Sequence, residues 1–506
     1  MKYLMISAAA LFVCASNVAF AAHGAVSVDF DRTIRPMKPE HGIGQPPMLG
    51  VDVKKMFHYL TEAGIPYSRL HDVGGWHGRN MFVDIPNVFR DFDADENDPA
   101  SYDFSFTDVL MKGLVDSGVE PYYRLGVTIE NFFKIKRLRT FPPKDYAKWA
   151  RICEHVIRHY NEGWGWGLDT ARTTRNIEYK NQFKIEYWEI WNEPDLDPFD
   201  DVEKNVGPRC WGGTVEEFFK FYETAAKYLK GKFPDLKIGG PAICGRFDWG
   251  ERFLKYCHDT QTPLDFFSWH AYAVEPKTIA DRCTTARALM DKYGFEKAES
   301  ILNEWNYVKG WVDDFVYSLE VATGRFNQKA AAFIAATMID CQQVPLDHLM
   351  FYDARSGNGM NCLFDKTTLW PMKGYYPYLC WAKLLDAGTQ VRTSVKEGRG
   401  IKNQAATGVV LHKDAGATGG QYRAVAAKGA DGSVVVFLAR YSENNNETDI
   451  GTASVAVKGL SPEKARIHMT DAVRTHTEVP VLLKDDGTLK LSMMPNSFAI
   501  VEFPAK

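Results

Sequence analysis

Several things are missing from this chain. Its nine cysteines include no C-x-x-C pair, so neither a zinc ribbon nor a thioredoxin-type redox site is expected. Beyond the first residues no segment has 18 consecutive apolar residues, which excludes an ordinary membrane-spanning helix from the mature chain. There is no excess of one charge: 60 Lys and Arg face 64 Asp and Glu, a formal net charge of −4. A nucleic-acid partner would need a basic face to neutralise phosphates, and none is offered. No internal repeat or low-complexity segment stands out. Cys153, Cys257, Cys341 and Cys380 sit among apolar neighbours at helix-like spacing and read as buried thiols. One or two disulfides stay open as an alternative in an oxidising compartment.

At 506 residues two domains are the default expectation. Residues 1–21 read as an export signal: Lys2, the short apolar run Ala8–Ala15, and Ala19-Phe20-Ala21 as a small-x-small cleavage site. Val13 before Cys14 is a poor fit to a lipoprotein site, so simple cleavage and a periplasmic or secreted location are expected. Aromatic residues make up 13% of the chain. They stack on sugar faces and also fill cores, so their number alone does not choose.

Strand-like and helix-like segments then alternate. Eight strands are predicted near 41–45, 67–72, 121–127, 185–192, 236–241, 265–272, 300–305 and 348–353. Between two of them, Tyr146, Trp149, Ile152, Cys153, Val156, Ile157 and Tyr160 recur at three- and four-residue steps, the mark of an amphipathic helix. Phe218, Phe219, Tyr222, Ala225, Ala226 and Leu229 do the same over 216–229. Eight such alternations predict an α/β chain built on a (β/α)8 TIM barrel over 41–385, with functional residues at the C-terminal strand ends. After 385 short β-rich runs with Asp431-Gly432 and Asp486-Gly487 turns predict a β-sandwich over 386–506. Residues 22–40 are expected to join it.

The polar residues of interest fall at the strand ends: His71, Asn192, Glu193, His270, Tyr272, Glu304 and Asp353. Tyr187-Trp188-Glu189-Ile190-Trp191-Asn192-Glu193-Pro194-Asp195 is an apolar run that stops on an Asn-Glu pair. Ser300-Ile301-Leu302-Asn303-Glu304-Trp305-Asn306 ends the same way. Two glutamates facing one pocket is the arrangement that cleaves glycosidic bonds, one as acid/base and one as nucleophile. Either glutamate alone reads more readily as a salt-bridge partner or loop anchor; the pair in these contexts points to catalysis. No cofactor or metal is needed. The acidic loop Asp91–Asp98 fails as a calcium loop, with Glu96 where glycine is required and Tyr102 where glutamate is required. It reads as a solvated loop on the pocket rim.

Trp191-Asn192-Glu193-Pro194-Asp195 and Asn303-Glu304-Trp305-Asn306 resemble the two catalytic signatures of glycoside hydrolase family 39. Arg69-x-His71 and the segment Tyr102–Asp108 look like that family too. The resemblance implies Glu193 as acid/base, Glu304 as nucleophile and Asn192 as the residue holding the sugar 2-hydroxyl. His71, His270, Tyr272, Trp305 and Asp353 are the further expected substrate contacts, with Tyr272 also able to tune the nucleophile. Trp76, Trp269 and Trp311 read as sugar platforms or as core. Family members are mostly retaining β-xylosidases and α-L-iduronidases. The iduronidases place a Lys where this chain has Tyr272, although Arg355 could supply the charge. The xylosidases carry glutamates after strand eight where this chain has Tyr352-Asp353-Ala354-Arg355. The expectation is a retaining, β-xylosidase-like hydrolase acting on an oligosaccharide or glycoside. The alternatives are an α-L-arabinofuranosidase, another specificity of the family, or a carbohydrate-binding protein without catalysis.

Overall fold

The computed structural model describes residues 22–505 apart from 49–52, 74–81, 131–138, 169–172, 174–176, 198–206, 311–313, 324–326, 357–362, 400–408 and 411–420. The segment read as an export signal, with Cys14, and the side chains of Trp76 and Trp311 therefore lie outside the described residues.

Eight parallel strands close into a barrel. In chain order they are Gly42–Gly44, Tyr67–Leu70, Glu120–Leu125, Tyr187–Ile190, Lys237–Ile243, Phe266–Ala273, Glu299–Tyr307 and His348–Phe351. Every one of the eight predicted strands is present, and the TIM-barrel fold class is borne out. The helix Tyr146–Glu162 is capped by Asp145, whose carboxylate accepts from the Lys148 amide. The helix Val215–Lys232 opens with a reciprocal Thr214–Glu217 capping box, which satisfies amides that no helical carbonyl can reach. The two helices pack on each other, as in Trp149 against Phe221 with ring centroids 4.7 Å apart.

Inside the barrel, side chains stack in layers. The lowest is apolar and aromatic, with Tyr122, Tyr187, Phe266, Ile301 and Met350. Above it lies an unusual layer of buried charge: Arg69, Arg124 and Glu189. Charge in a barrel core is costly unless paired. Here Arg124 is paired with Asp84 at 2.6 Å and Arg69 with Glu189 at 2.7 Å. The next layer up carries the strand-end residues of the candidate site.

The strands after 388 form one hydrogen-bonded sheet together with the N-terminal strand Ala22–Pro36, which pairs antiparallel with Thr389–Arg399 and parallel with Gly451–Val457. Nine of its ten strands run in one hydrogen-bonded path, and the tenth, Val409–Val410, pairs with Thr389–Arg399 beside it. Alternate residues of its strands build a second core of their own, around Val26, Val391, Val436, Val455 and Val501. The opposite face, including Phe437 and Phe498, joins the barrel core. A buried Arg423–Asp340 ion pair at 3.0 Å ties sheet to barrel.

The acidic loop 91–98 bonds to its own backbone and to the helix Tyr146–Glu162. Asp91, Asp95 and Asp98 accept from nearby backbone amides, and Glu96 pairs with Arg151 and Lys148. Cys153, Cys257, Cys341 and Cys380 are free and buried.

Candidate active site

The fourth strand ends at Ile190, and the chain then turns through two residues in left-handed conformations, Trp191 at φ 76° and Glu193 at φ 46°. Such conformations cost energy for non-glycine residues and persist only where the surroundings hold them. Three bonds do so. The Trp191 amide donates to Leu125 O at 2.8 Å, its indole N–H to Cys210 O at 2.9 Å, and the Glu193 amide to Ala242 O at 2.9 Å. Gly126 lies so close that a Cβ there would sit 3.1 Å from Trp191 Cα. The turn brings Asn192 and Glu193 to the pocket together.

The seventh strand uses a different device. Neighbouring residues of a regular strand point to opposite faces, yet Asn303 and Glu304 both bond groups inside the barrel. Register irregularities between Trp269 and His270 and between Leu302 and Trp305 accommodate this, as bulges commonly do beside functional sites.

The two glutamates meet around one imidazole. His270 Nδ1 is 2.7 Å from Glu193 Oε1 and 3.4 Å from Glu304 Oε2. An oxygen of each carboxylate and this nitrogen all lie within 4.8 Å of one another. Tyr272 donates its hydroxyl to Glu304 Oε2 at 2.7 Å. Arg69 is the other partner of the nucleophile candidate and spreads its three nitrogens over three acceptors: Nε to Glu189, Nη1 to Glu304 and Nη2 to Asn192, each at 2.7 Å. His71 Nε2 stands 3.9 Å from Glu304 and 3.5 Å from Asp72.

Electrostatics follow from burial. Desolvation lowers His270 to about 4 and His71 well below the usual histidine range, so both rings are neutral near pH 7. Burial also raises Tyr272, helped by Glu304, and the phenol therefore stays a donor. Burial raises Glu304 above the ordinary glutamate range, while His270, Arg69 and the Tyr272 hydrogen bond pull it back. Burial weakens the charge on Arg69, but Glu189 and Glu304 more than offset that.

The side chains expected at the site divide as follows. Asn192, Glu193, His71, His270, Tyr272 and Glu304 converge. Trp305 does not. It points away from the barrel axis into the helix layer, fully buried against Phe351 and Phe333 with centroids 5.2 and 6.1 Å away. Its expected role as a substrate contact is corrected to core packing, because its neighbour Glu304 takes the inward direction. Trp269 is buried against Phe247 in the same way. Asp353 is corrected too. It has no exposed surface and its carboxylate is taken by Arg355, with Oδ1 accepting from the backbone amide at 2.9 Å and Oδ2 from Nη2 at 2.7 Å. Arg355 keeps 22% of its side chain exposed, but its charge is already matched by Asp353.

Four contributors were not assigned roles from the sequence: Arg69, Glu189, and the two residues that donate to Glu189 Oε1, Ser268 and Asn303. Two signals were available. Arg69 precedes His71 by two residues, which puts both on one strand face. Glu189 is a lone charge inside an apolar strand run, and a buried charge demands a partner. Glu193, His270 and Glu304 also have the spacing of a three-ligand cation site. Arg69 bears a permanent positive charge against Glu304, which opposes a second cation there.

The site is thus a buried carboxylate pair on strands four and seven of a TIM barrel, steadied by one arginine. The model of glycosyl hydrolases family 39 matches residues 51–350, and the chain belongs to that family. It is 30% identical to a β-xylosidase of Caldicellulosiruptor saccharolyticus over 58% of this chain and 54% of the relative. It is 27% identical to a β-xylosidase of Geobacillus stearothermophilus over 45% of this chain and 46% of the relative. The chain spans about half the length of these curated relatives. Among solved structures, a glucosidase from Croceicoccus marinus shares the fold at a TM-score of 0.68 and 20% identity, covering 96% of this chain and 99% of its own.

Proposed function

We propose that this protein is a retaining glycoside hydrolase of β-xylosidase type, with Glu304 as nucleophile and Glu193 as acid/base. One observation carries the reading: an oxygen of each of the two buried carboxylates lies within 4.8 Å of the other. Retaining enzymes place their carboxyl groups about 5–5.5 Å apart, and inverting enzymes about 6.5–9.5 Å apart to admit a water.

In the first step Glu304 attacks the anomeric carbon and the C–O bond to the leaving group breaks. Glu193 delivers the proton that makes the leaving oxygen an alcohol. In the second, Glu193 takes a proton from water, the water oxygen bonds the anomeric carbon, and Glu304 leaves as carboxylate. Arg69 and Tyr272 hold Glu304 ionised and aimed. Asn192, fixed by Arg69, is placed to meet the 2-hydroxyl.

The family's β-xylosidases support a neutral pentoside as substrate. The Asp353–Arg355 pairing favours a neutral sugar over a uronic acid, because the arginine carries no unmatched charge to meet a carboxylate. Export to the periplasm or beyond is proposed from the pattern of residues 1–21.

The test is sugar release from aryl β-xyloside, α-L-arabinofuranoside, α-L-iduronide, β-glucoside and β-galactoside, with the anomer of the first-formed product read by proton NMR. Release of the β-xyloside sugar with retained configuration is the expected result, and Glu304→Ala should abolish it while the protein stays folded. An inverted product, or near-normal turnover by that variant, would sink the assignment. A chelator should leave the rate unchanged.

A further inference from the structure

Glu189 has no exposed surface and lies in the layer beneath the strand-end residues. Its two oxygens lead to both glutamates of the site. Oε2 accepts from Arg69 Nε at 2.7 Å, and the same guanidinium donates to Glu304 and Asn192. Oε1 accepts from Ser268 Oγ at 2.6 Å and from the Asn303 amide. Ser268 Oγ in turn accepts from the Ala242 amide at 2.9 Å. The Ala242 carbonyl holds the Glu193 amide at 2.9 Å. Asn303 is the residue before Glu304. One buried carboxylate is therefore joined through one intermediary to the nucleophile and through two to the acid/base.

We propose that Glu189 is a positioning residue that sets the aim and the ionisation of the pair, acting through Arg69 on Glu304 and through Ser268 and Ala242 on Glu193. The physical case is one of charge and geometry. A guanidinium between two carboxylates is shared. With Glu189 present, Arg69 is pinned at a fixed angle and only part of its field falls on Glu304. A fully claimed Arg69 would over-stabilise the Glu304 carboxylate and blunt it as a nucleophile. An unpinned Arg69 would leave Glu304 and Asn192 unaimed. Arginine suits this task because its planar fork reaches three acceptors at once. Among the described residues, the charged and titratable groups facing Glu304 are Arg69 and His71 at strand two, Glu193 after strand four, His270 and Tyr272 from strand six, and Tyr352 after strand eight.

The proposal rests on the hydrolase reading above. Two substitutions separate its charge and reach components, assayed with 4-nitrophenyl β-D-xyloside across pH. Glu189→Gln removes charge and keeps an acceptor for Arg69. It should lower kcat about tenfold or more and move the acid limb of the pH profile to lower pH. Glu189→Asp keeps the charge and shortens the reach. It should lower kcat by about 10²-fold, the cost of a misplacement near 1 Å, with the acid limb unmoved. Should the Gln variant fail to fold, as judged by circular dichroism, the Asp variant carries the test alone. Turnover within twofold of the unsubstituted protein in every folded variant, with an unshifted acid limb, overturns the proposal. The hydrolase reading fails separately, through absence of turnover by the unsubstituted protein.

Discussion

His270 Nδ1 sits 2.7 Å from Glu193 and 3.4 Å from Glu304, so one neutral ring nitrogen separates the two carboxylates. That nitrogen and Glu193 Oε1 are within hydrogen-bond distance. Burial keeps the ring from charging, and a charged ring here would pull Glu193 toward its ionised form and leave no acid for the leaving group.

Removal of the acid should therefore be selective. Glu193→Ala is expected to slow hydrolysis of alkyl xylosides by about 10²–10⁴-fold, and that of dinitrophenyl xyloside far less, because the latter leaves without protonation. Equal losses on both substrates would contradict the role of Glu193.

Tyr272→Phe deletes one hydrogen bond to the Glu304 carboxylate. Hydrogen bonds to charged groups contribute about 1.5–3 kcal/mol, so kcat should fall by roughly 10–100-fold. That bond holds the Glu304 pKa down, so its loss should move the acid limb to higher pH, opposite to the direction expected for Glu189→Gln. An acid limb that stays in place would argue against contact between these two groups during turnover.

Glu40 offers a test of stability away from the pocket. It is fully buried with Lys38 Nζ 3.6 Å away, and burial pushes its carboxyl up to about 8. The folded state thus holds a proton that the unfolded chain, near 4.3, gives up. The contribution is fully present below the unfolded value and is lost as pH rises through the folded one. Glu40→Gln should raise Tm by on the order of a few degrees at pH 8 and leave it unchanged at pH 4. A Tm gain of the same size at both values would show that Glu40 is not the titrating group.

Trp305→Ala should cost about 3–5 kcal/mol of stability as a large core truncation, while Trp305→Phe should cost less and leave KM for the xyloside unchanged. A raised KM without lost thermal resistance would return Trp305 to the pocket.

Much of this arrangement was legible in the residue order. The periodicity of 216–229, the eight apolar runs and the positions of Glu193 and Glu304 at their ends required only local patterns, and local patterns follow from the 3.6 and 2.0 repeats of helix and strand. Trp305 was not legible, since its inward or outward direction depends on the irregular register of strand seven against strands six and eight. Asp353 was misread because its partner Arg355 folds back on it.

By itself, then, the sequence determined the barrel, the family and the two glutamates, all of which are written in short segments. Only the tertiary structure decided that Arg69 is divided between Glu189, Glu304 and Asn192, that one histidine nitrogen separates the two acids, and that the strands after residue 388 form one hydrogen-bonded sheet. These depend on contacts between residues far apart in the chain. Angles and distances between strands select them, and strand pattern alone does not specify those angles.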